Sequence, residues 1–374
     1  MKLYVLNYKW FLFICLILCK YTSGQDPSFS QFYNNALYYN PAYAGYLSGS
    51  RVALSSRLQW PMIAGQNTMV SFNTYRASID CDISNGNGLG GIGLNVIHDD
   101  EGSSFLRTTS IGLPFAVRIK ISKKISLQAG IEPVLLTKSI DWTKLVFSDQ
   151  LDQVYGIYYQ TSYRYPSQNQ KWMFDLGAGL VLNYKFQFDP RKKDRGKYNV
   201  IQIGFAAHHV TQPLQSFEGV SYSASRLPVK WTVHSQVFIP LFYDKSVVII
   251  PTFFWEKQSA MNTTMIGANF IWRFLYAGFW YRSFGKADAL AVSAGFTWDN
   301  GERRTTKSIS LTYSYDITLS KLAGISGGSH EISLIFDDAL SFLKSRHSKK
   351  RPNKDIKCPK FYYIQYDSRE WKNN

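Results

Sequence analysis

The sequence predicts an all-β fold, a transmembrane antiparallel up-and-down β-barrel of about 14 strands, and three observations carry that reading. First, WMFDLGAGLVLNYKF (172–186) is apolar at every second position from Trp172 to Phe186. Asp175, Gly177, Gly179, Asn183 and Lys185 sit between, with Met173 and Val181 the exceptions. Strands of soluble proteins usually run ~5–6 residues, whereas a tilted strand needs roughly 9–11 to cross a bilayer. Second, aromatic residues reach 16% while charged residues are only 18%, and mean hydropathy is −0.19. Lipid-facing and lumen-facing residues of a barrel cancel in this way in any window. Third, connections alternate in length. Those at 121–124, 241–246 and around Arg273 are short, and those at 138–171, 210–228 and 318–328 are long. Short periplasmic turns and longer outer loops are the known asymmetry. Two charged connections, 189–197 and 299–307, are longer than their side requires.

The elements follow in order. Residues 1–24 form a signal peptide: Lys2 and Lys9 precede the apolar run 11–19, and Thr22, Ser23 and Gly24 lead to cleavage before Gln25. Lipidation at Cys19 is the alternative, against which stands the bulky Leu18. Residues 25–49 make an N-terminal periplasmic or plug segment without a sustained period. Alternation then yields strands at 50–60, 67–79, 90–99, 104–119, 124–137, 172–187, 198–209, 229–240, 246–256, 261–272, 274–284, 288–298, 306–317 and 329–337, the barrel occupying 50–337. An even strand number puts both termini on the periplasmic side. Aromatics at strand ends, such as Trp172, Phe186, Trp255 and Trp298, fit an interfacial girdle in contact with outer-membrane lipid. Residues 338–374 are a basic periplasmic tail, with ten Lys or Arg from Phe342 onward against Asp355, Asp367 and Glu370. It supplies much of the net charge of +16. After export, KSRHSKKR (344–351) points away from nucleic acid and toward an acidic partner or plain solvation.

YNPAYAGYLSG (39–49), LQWPMIAG (58–65), DWTKLVFSDQLD (141–152), SYDITLSKLAGISGGSHEISLIF (314–336) and KCPKF (357–361) occur in that order. Together they resemble the PorP/SprF family of Bacteroidetes outer-membrane proteins over essentially the whole mature chain. The resemblance implies a component of the type IX secretion and gliding machinery. Such a component assists export and surface anchoring of large adhesin-type cargo through the cargo's C-terminal domain, and meets periplasmic ring components. One departure is a tail between Asp337 and Lys357 that is longer and more basic than the family's.

Candidate contacts follow. Loop 138–171 carries Trp142, Phe147, Tyr155, Tyr158, Tyr159, Tyr163 and Tyr165, suited to protein recognition or to self-packing over the mouth. Asn40, Pro41 and Tyr43 lie in NPAYAG, which either touches a periplasmic partner or plugs the lumen. Gln59, Trp60 and Pro61 end the first strand, either holding cargo or serving as girdle and turn. Cys81 and Cys358 both read as periplasmic, and an oxidising compartment permits a disulfide between them. GLGGIG (88–93) leads into a strand, which leaves no helix N-terminus for a pyrophosphate. His98, Asp99, Asp100 and Glu101 read as an outer turn, with a hard cation the sharper alternative. His208 and His209, adjacent on a strand, face opposite sides. No catalytic constellation, metal spacing or cofactor motif appears, so the chain reads as a non-enzyme. A porin or substrate-specific transporter is the rival function, and lumen occupancy decides between them. Gly177, Gly179 and Gly295 with few inward charges leave room, and the N-terminal segment fills it.

Overall fold

The computed structural model describes residues 26–46, 49–62, 72–83, 90–102, 105–122, 124–166, 169–186, 199–217, 225–241, 247–284, 287–299 and 308–337. The expected signal peptide, the basic tail and Cys358 lie outside the described residues. The strands are β1 Ser50–Gln59, β2 Phe72–Asp82, β3 Gly90–Glu101, β4 Leu106–Gly112, β5 Phe115–Lys120 and β6 Ile125–Ile140. A short hairpin, β7 Leu151–Asp152 and β8 Gly156–Ile157, stands apart from the sheet. Then come β9 Gln170–Phe186, β10 Asn199–His208, β11 Lys230–Pro240, β12 Val247–Gln258, β13 Met261–Trp272, β14 Leu275–Ser283, β15 Ala287–Asp299, β16 Ser308–Thr318 and β17 Ser329–Asp337.

Every neighbouring pair is antiparallel, and β1 pairs with β17 from Arg51↔Asp337 to Gln59↔Ser329. The sheet therefore has no open edge. With β4 and β5 counted as one interrupted strand, the described residues form a closed barrel of fourteen strands. Closure pairs the backbone of every strand without water, as hydrocarbon demands. The outward positions of alternating strands hold Leu54, Phe174, Leu180, Phe205, Ile266 and Phe279. Trp172 and Trp231 stand at one rim, and Tyr184, Trp272 and Trp298 at the other.

The predicted strand 104–119 is broken at Leu113-Pro114. Proline has no N–H to give the ladder, so β3 pairs with β4 from Asn95 onward and with β5 before it. The carbonyl of Pro114 instead accepts from Gly93 N at 2.8 Å. The stretch 98–101 is not an outer turn. β3 runs through Glu101, and Asp99 points inward to accept from Thr74 Oγ1 at 2.6 Å while His98 and Asp100 point outward. Gly90 and Gly91 open β3, and Gly88 lies outside the described residues.

Inside, the wall is far more charged than expected. Arg57, Arg76, Arg118, Lys230 and Arg282 are buried facing inward, as are Glu132, Asp175, Glu256, Asp316 and Glu331. They are buried because residues 26–46 fill the lumen. From Phe29 to Tyr46 every residue of this segment except Gly45 is buried as a side chain, and it contains one helical turn, Ala36–Tyr39, and a 3-10 turn, Pro41–Tyr43.

The segment also fixes a direction. Asp26 meets Lys230, His209 and Gln258, which lie at strand ends adjoining the long connection 209–229 and, on the same side, the two-residue turn 259–260. Gly45 and Tyr46 meet Asp80, Arg118 and Asn183 at the opposite end. Strand parity governs Ser50 and Asp337, at the short-turn end. It does not govern residue 26, because the segment 26–46 crosses the whole lumen. Asp26, the first described residue, stands at the long-loop end.

Candidate functional site

Three tiers hold the segment in the lumen. Nearest the long-loop mouth, Arg57 donates from Nη2 to Asp316 at 2.8 Å and from Nη1 to Glu331 at 3.1 Å. Arg282 reaches Asp316 at 2.9 Å. Ser30 is woven into this network. Its N donates to Glu331 at 2.8 Å, and its hydroxyl donates to Asp316 at 2.6 Å while accepting from Arg57 at 2.8 Å. The backbone N of Gln31 and the Nδ2 of Asn35 also donate to Glu331. Removing one partner of such a desolvated set is costly even where the set adds little net stability.

The middle tier is aromatic. Phe32 stacks on Phe254 at 4.8 Å and Tyr33 on Trp280 at 5.1 Å between ring centroids. Phe254 and Trp280 face inward on β12 and β14, strands that carry apolar residues on both faces. The main apolar core of the described residues is the one the barrel shares with its plug, and a small second cluster joins Leu136, Met173 and Leu227.

The innermost tier explains Asn40-Pro41-Ala42-Tyr43-Ala44-Gly45. Asn40 accepts from Ala42 N at 2.9 Å and donates to the carbonyl of Leu180 at 3.0 Å. Pro41 opens the 3-10 turn, where its fixed φ suits the first position. The chain presses on the wall at glycines. A Cβ on Gly179 would lie 2.1 Å from Asn40 Oδ1, and one on Gly130 would lie 2.6 Å from Pro41 O. Gly45, at φ +59°, approaches Gly91 so closely that its Cβ would sit 2.4 Å from the Gly91 Cα. Tyr43 reaches His234 at 3.3 Å. Beside this tier a cavity of about 20 Å³ remains between Asn34, Tyr43 and Arg76, room for about one water. Gly177 borders His208, and Gly295 packs near Thr312, so the wall glycines do not open a passage.

At the mouth, Asp26 pairs with Lys230 at 2.8 Å and with His209 Nε2 at 2.7 Å, while His209 Nδ1 binds Asp175. Sequence parity placed His208 and His209 on opposite faces, but both are buried inward. His209 adopts φ +58°, which ends the strand and swings its ring into the lumen mouth. His208 donates to the carbonyl of Tyr39 at 3.1 Å. Burial opposes the charge on both Asp26 and His209. Their mutual attraction prevails, holding the Asp26 carboxyl well below its usual range and pushing His209 up to about 9.

Above the mouth sits the connection 141–169. Asp141 caps the 3-10 turn Trp142–Lys144 through Thr143 N. Phe147 stacks on Tyr163 at 4.9 Å, and Trp142 packs against Tyr165 at 6.5 Å and Phe217 at 5.8 Å. These rings form a base. The β7–β8 hairpin forms a tip, where Val154, Tyr155 and Tyr158 are 81%, 73% and 66% exposed, and Tyr159 is exposed beside them. Asp152 accepts from Val154 N at 2.8 Å and Tyr155 N at 3.0 Å, and Asp149 accepts from Ser162 N at 2.7 Å. These backbone donors hold both carboxyls below the ordinary range, so the tip stays ordered by fixed charges of its own. The candidates of this loop are thus divided: Trp142, Phe147 and Tyr163 build the base, and Tyr155, Tyr158 and Tyr159 the tip.

Gln59 ends β1, and Trp60 follows at φ +54°, its N donating to Gly328 O at 2.9 Å and its ring edge-on to Phe72 at 5.8 Å. Cys81 lies on β2 one residue from its short-turn end. The segments QWP and GGSHE, far apart in sequence, are therefore neighbours at the β1–β17 seam. Sequence reasoning missed the lumen contacts of Ser30, Gln31, Asp26 and His209. The signal that could have found some of them was the pair of doubly apolar strands β12 and β14.

Fold and filled lumen define the class: an outer-membrane β-barrel closed by its own N-terminal segment. Residues 21–336 match the family described as type IX secretion system membrane protein PorP/SprF, and the chain belongs to that family. Among curated proteins none matches. Solved structures similar in chain path include the CymD monoaromatic hydrocarbon channel, at 12% identity over 81% of this chain and 91% of that one, with a TM-score of 0.44. The Pseudomonas putida toluene transporter TodX is 10% identical over 84% and 95%, with a TM-score of 0.42. A Pseudomonas aeruginosa FadL homologue is 13% identical over 82% and 94%, with a TM-score of 0.40. At that identity and score the likeness has no bearing on what this chain binds.

Proposed function

We propose that this protein is a non-enzymatic component that assists secretion and surface anchoring of large adhesin-type cargo. In this reading the C-terminal domain of the cargo rests on the tip of the 141–169 connection, and the short-turn rim meets periplasmic ring components of the secretion and gliding machinery. The observation that carries it is the exposed, pre-ordered tip: Leu151, Val154, Tyr155, Ile157 and Tyr158 project from a hairpin braced by Asp152. Rigid aromatic side chains lose little conformational freedom on binding, which makes them good anchors. The non-enzymatic part is supported by the lumen itself, where Asp316, Glu331 and His209 are engaged in holding the segment 26–46.

Asn40, Pro41 and Tyr43 fit the plug role, since all three are buried against the wall. Gln59 and Trp60 remain a secondary cargo contact at the seam. The Cys81–Cys358 disulfide stays a proposal, and a thiol titration finding two free sulfhydryls removes it. The porin reading has no resting observation in its favour, because the lumen is occupied.

Deleting 150–168 tests the main reading. The expected result is a barrel that still inserts and migrates as a heat-modifiable band while cargo is lost from the cell surface. Unchanged surface retention overturns it.

A further inference from the structure

We propose that the barrel is a gated conduit whose gate is its own N-terminal segment, with the free end of that gate on the long-loop face. This stands apart from the cargo reading, because it concerns the lumen and needs no partner.

The wall of the lumen is built for water as much as for the plug. Arg57, Arg76, Arg118, Lys230, Glu132 and Asp175 all point inward. A barrel of about eight strands is filled by its own side chains, and one of 16–18 leaves an aqueous channel. At fourteen strands the described wall falls between, and it takes a separate segment to close it.

The gate is fastened unequally. Its inner end is pinned by backbone approach at Gly45 and Gly91 and by the Asn40 bonds, and it continues into the wall at Ser50. With the cleavage expected before Gln25, its outer end becomes a chain end held by side chains, with Asp26 latched to His209 and Lys230. Between them the segment is compact, with one helical and one 3-10 turn. Drawn straight at ~3.3 Å per residue, the stretch from Asp26 to Asn40 reaches roughly 45 Å from its pin. That is about one and a half times the ~30 Å hydrocarbon core. Pulling the outer end therefore clears Phe29, Phe32 and Tyr33 from the lumen without breaking the inner pin, and leaves a single extended strand in a polar channel. The latch belongs to the same connection as Phe217, which packs on Trp142, so whatever grips the outer loops lies against the release point.

Two measurements on the full mature chain decide this. A short epitope inserted before Gln25 is expected to bind antibody on intact cells, as does one inserted beside Val154. A tag that is read only after the outer membrane is permeabilised overturns the proposal. In planar bilayers, purified wild type is expected to be nearly silent. H209A removes one of the two ion pairs on Asp26 and D26N removes the charge that both pairs share, and each is expected to raise the open fraction at least about tenfold. A steadily conducting wild type, or latch variants as silent as wild type, overturns the proposal. Deletion of 26–39 is a third arm, expected to conduct continuously. Should it fail to insert, the latch variants, which change one side chain each, carry the decision.

Discussion

Two stretches of this chain are rich in tyrosine and have opposite fates. Residues 26–46 and residues 141–166 hold five Tyr each among polar side chains, and neither shows a sustained period. The first is buried inside the barrel, and the second stands outside it. The difference lies in who satisfies the polar atoms. In the plug, Ser30, Gln31 and Asn40 turn to the wall, to Glu331, Asp316 and the carbonyl of Leu180. In the loop, Asp141, Asp149 and Asp152 each accept from donors within the loop itself. The plug is folded by the barrel, whereas the loop is folded by itself. A burial-driven segment should therefore fail when the wall is changed, and a self-capped one should not.

The largest expected effect comes from breaking the wall side of that comparison. Arg57→Met leaves Glu331 without a cation and Asp316 with Arg282 alone in a desolvated site, and should cost about 3–5 kcal/mol. It should appear as a lower temperature for the folded-to-unfolded band shift on gels. Next, Gly130→Ala forces a methyl against the Pro41 carbonyl. Overpacking of this kind costs about 1–3 kcal/mol, and here it should loosen the plug more than the barrel. Faster protease cleavage within 26–46, at little change in barrel melting, would register it.

A smaller, graded effect is expected from pH. His209 faces Asp26 from the plug, Asp175 from β9 and Lys230 from β11. Its value is raised from 6.5 to about 9, so its contribution to the latch is complete below about 6.5 and drains away as pH rises through about 9. Asp26, held low, contributes in the opposite sense and is lost only in acid. Protease access to the plug should therefore rise between pH 7 and pH 9.5 in wild type, and H209A should flatten that rise. The smallest effect on stability belongs to the loop. Asp152→Ala removes two backbone caps at the tip. Barrel melting should stay where it is while cargo retention falls. A shift in melting would show that the loop is not self-supporting.

The barrel was legible in the sequence because two-residue alternation is a local signal, and Trp172 to Phe186 displays it without any partner in view. The break at Leu113-Pro114 was not, because alternation resumes on both sides of the proline with the lumen face unchanged. His209 was misread for a related reason: parity assumes extended backbone, and a left-handed residue reverses it. The lumen contacts were hidden by distance along the chain. Ser30 finds Glu331, 301 residues away, through hydroxyl and amide chemistry that leaves no periodic trace. The exposed tip aromatics were readable as a set, and their division into base and tip was not, since it depends on the Asp152 turn.

The filled lumen also constrains the order of assembly. The seam between β1 and β17 joins the beginning of the wall to its end, nine residue pairs that cannot form until Asp337 has been made. Contacts of such high sequence separation are slow to reward the chain for closing on itself. Because Asp26 to Tyr46 lies within the ring that this seam completes, the hoop must shut around an occupant already in position, or else the free end must be fed back through a finished mouth. A chaperone that held the two end strands apart until residues 26–46 had settled would turn that difficulty into a proofreading step.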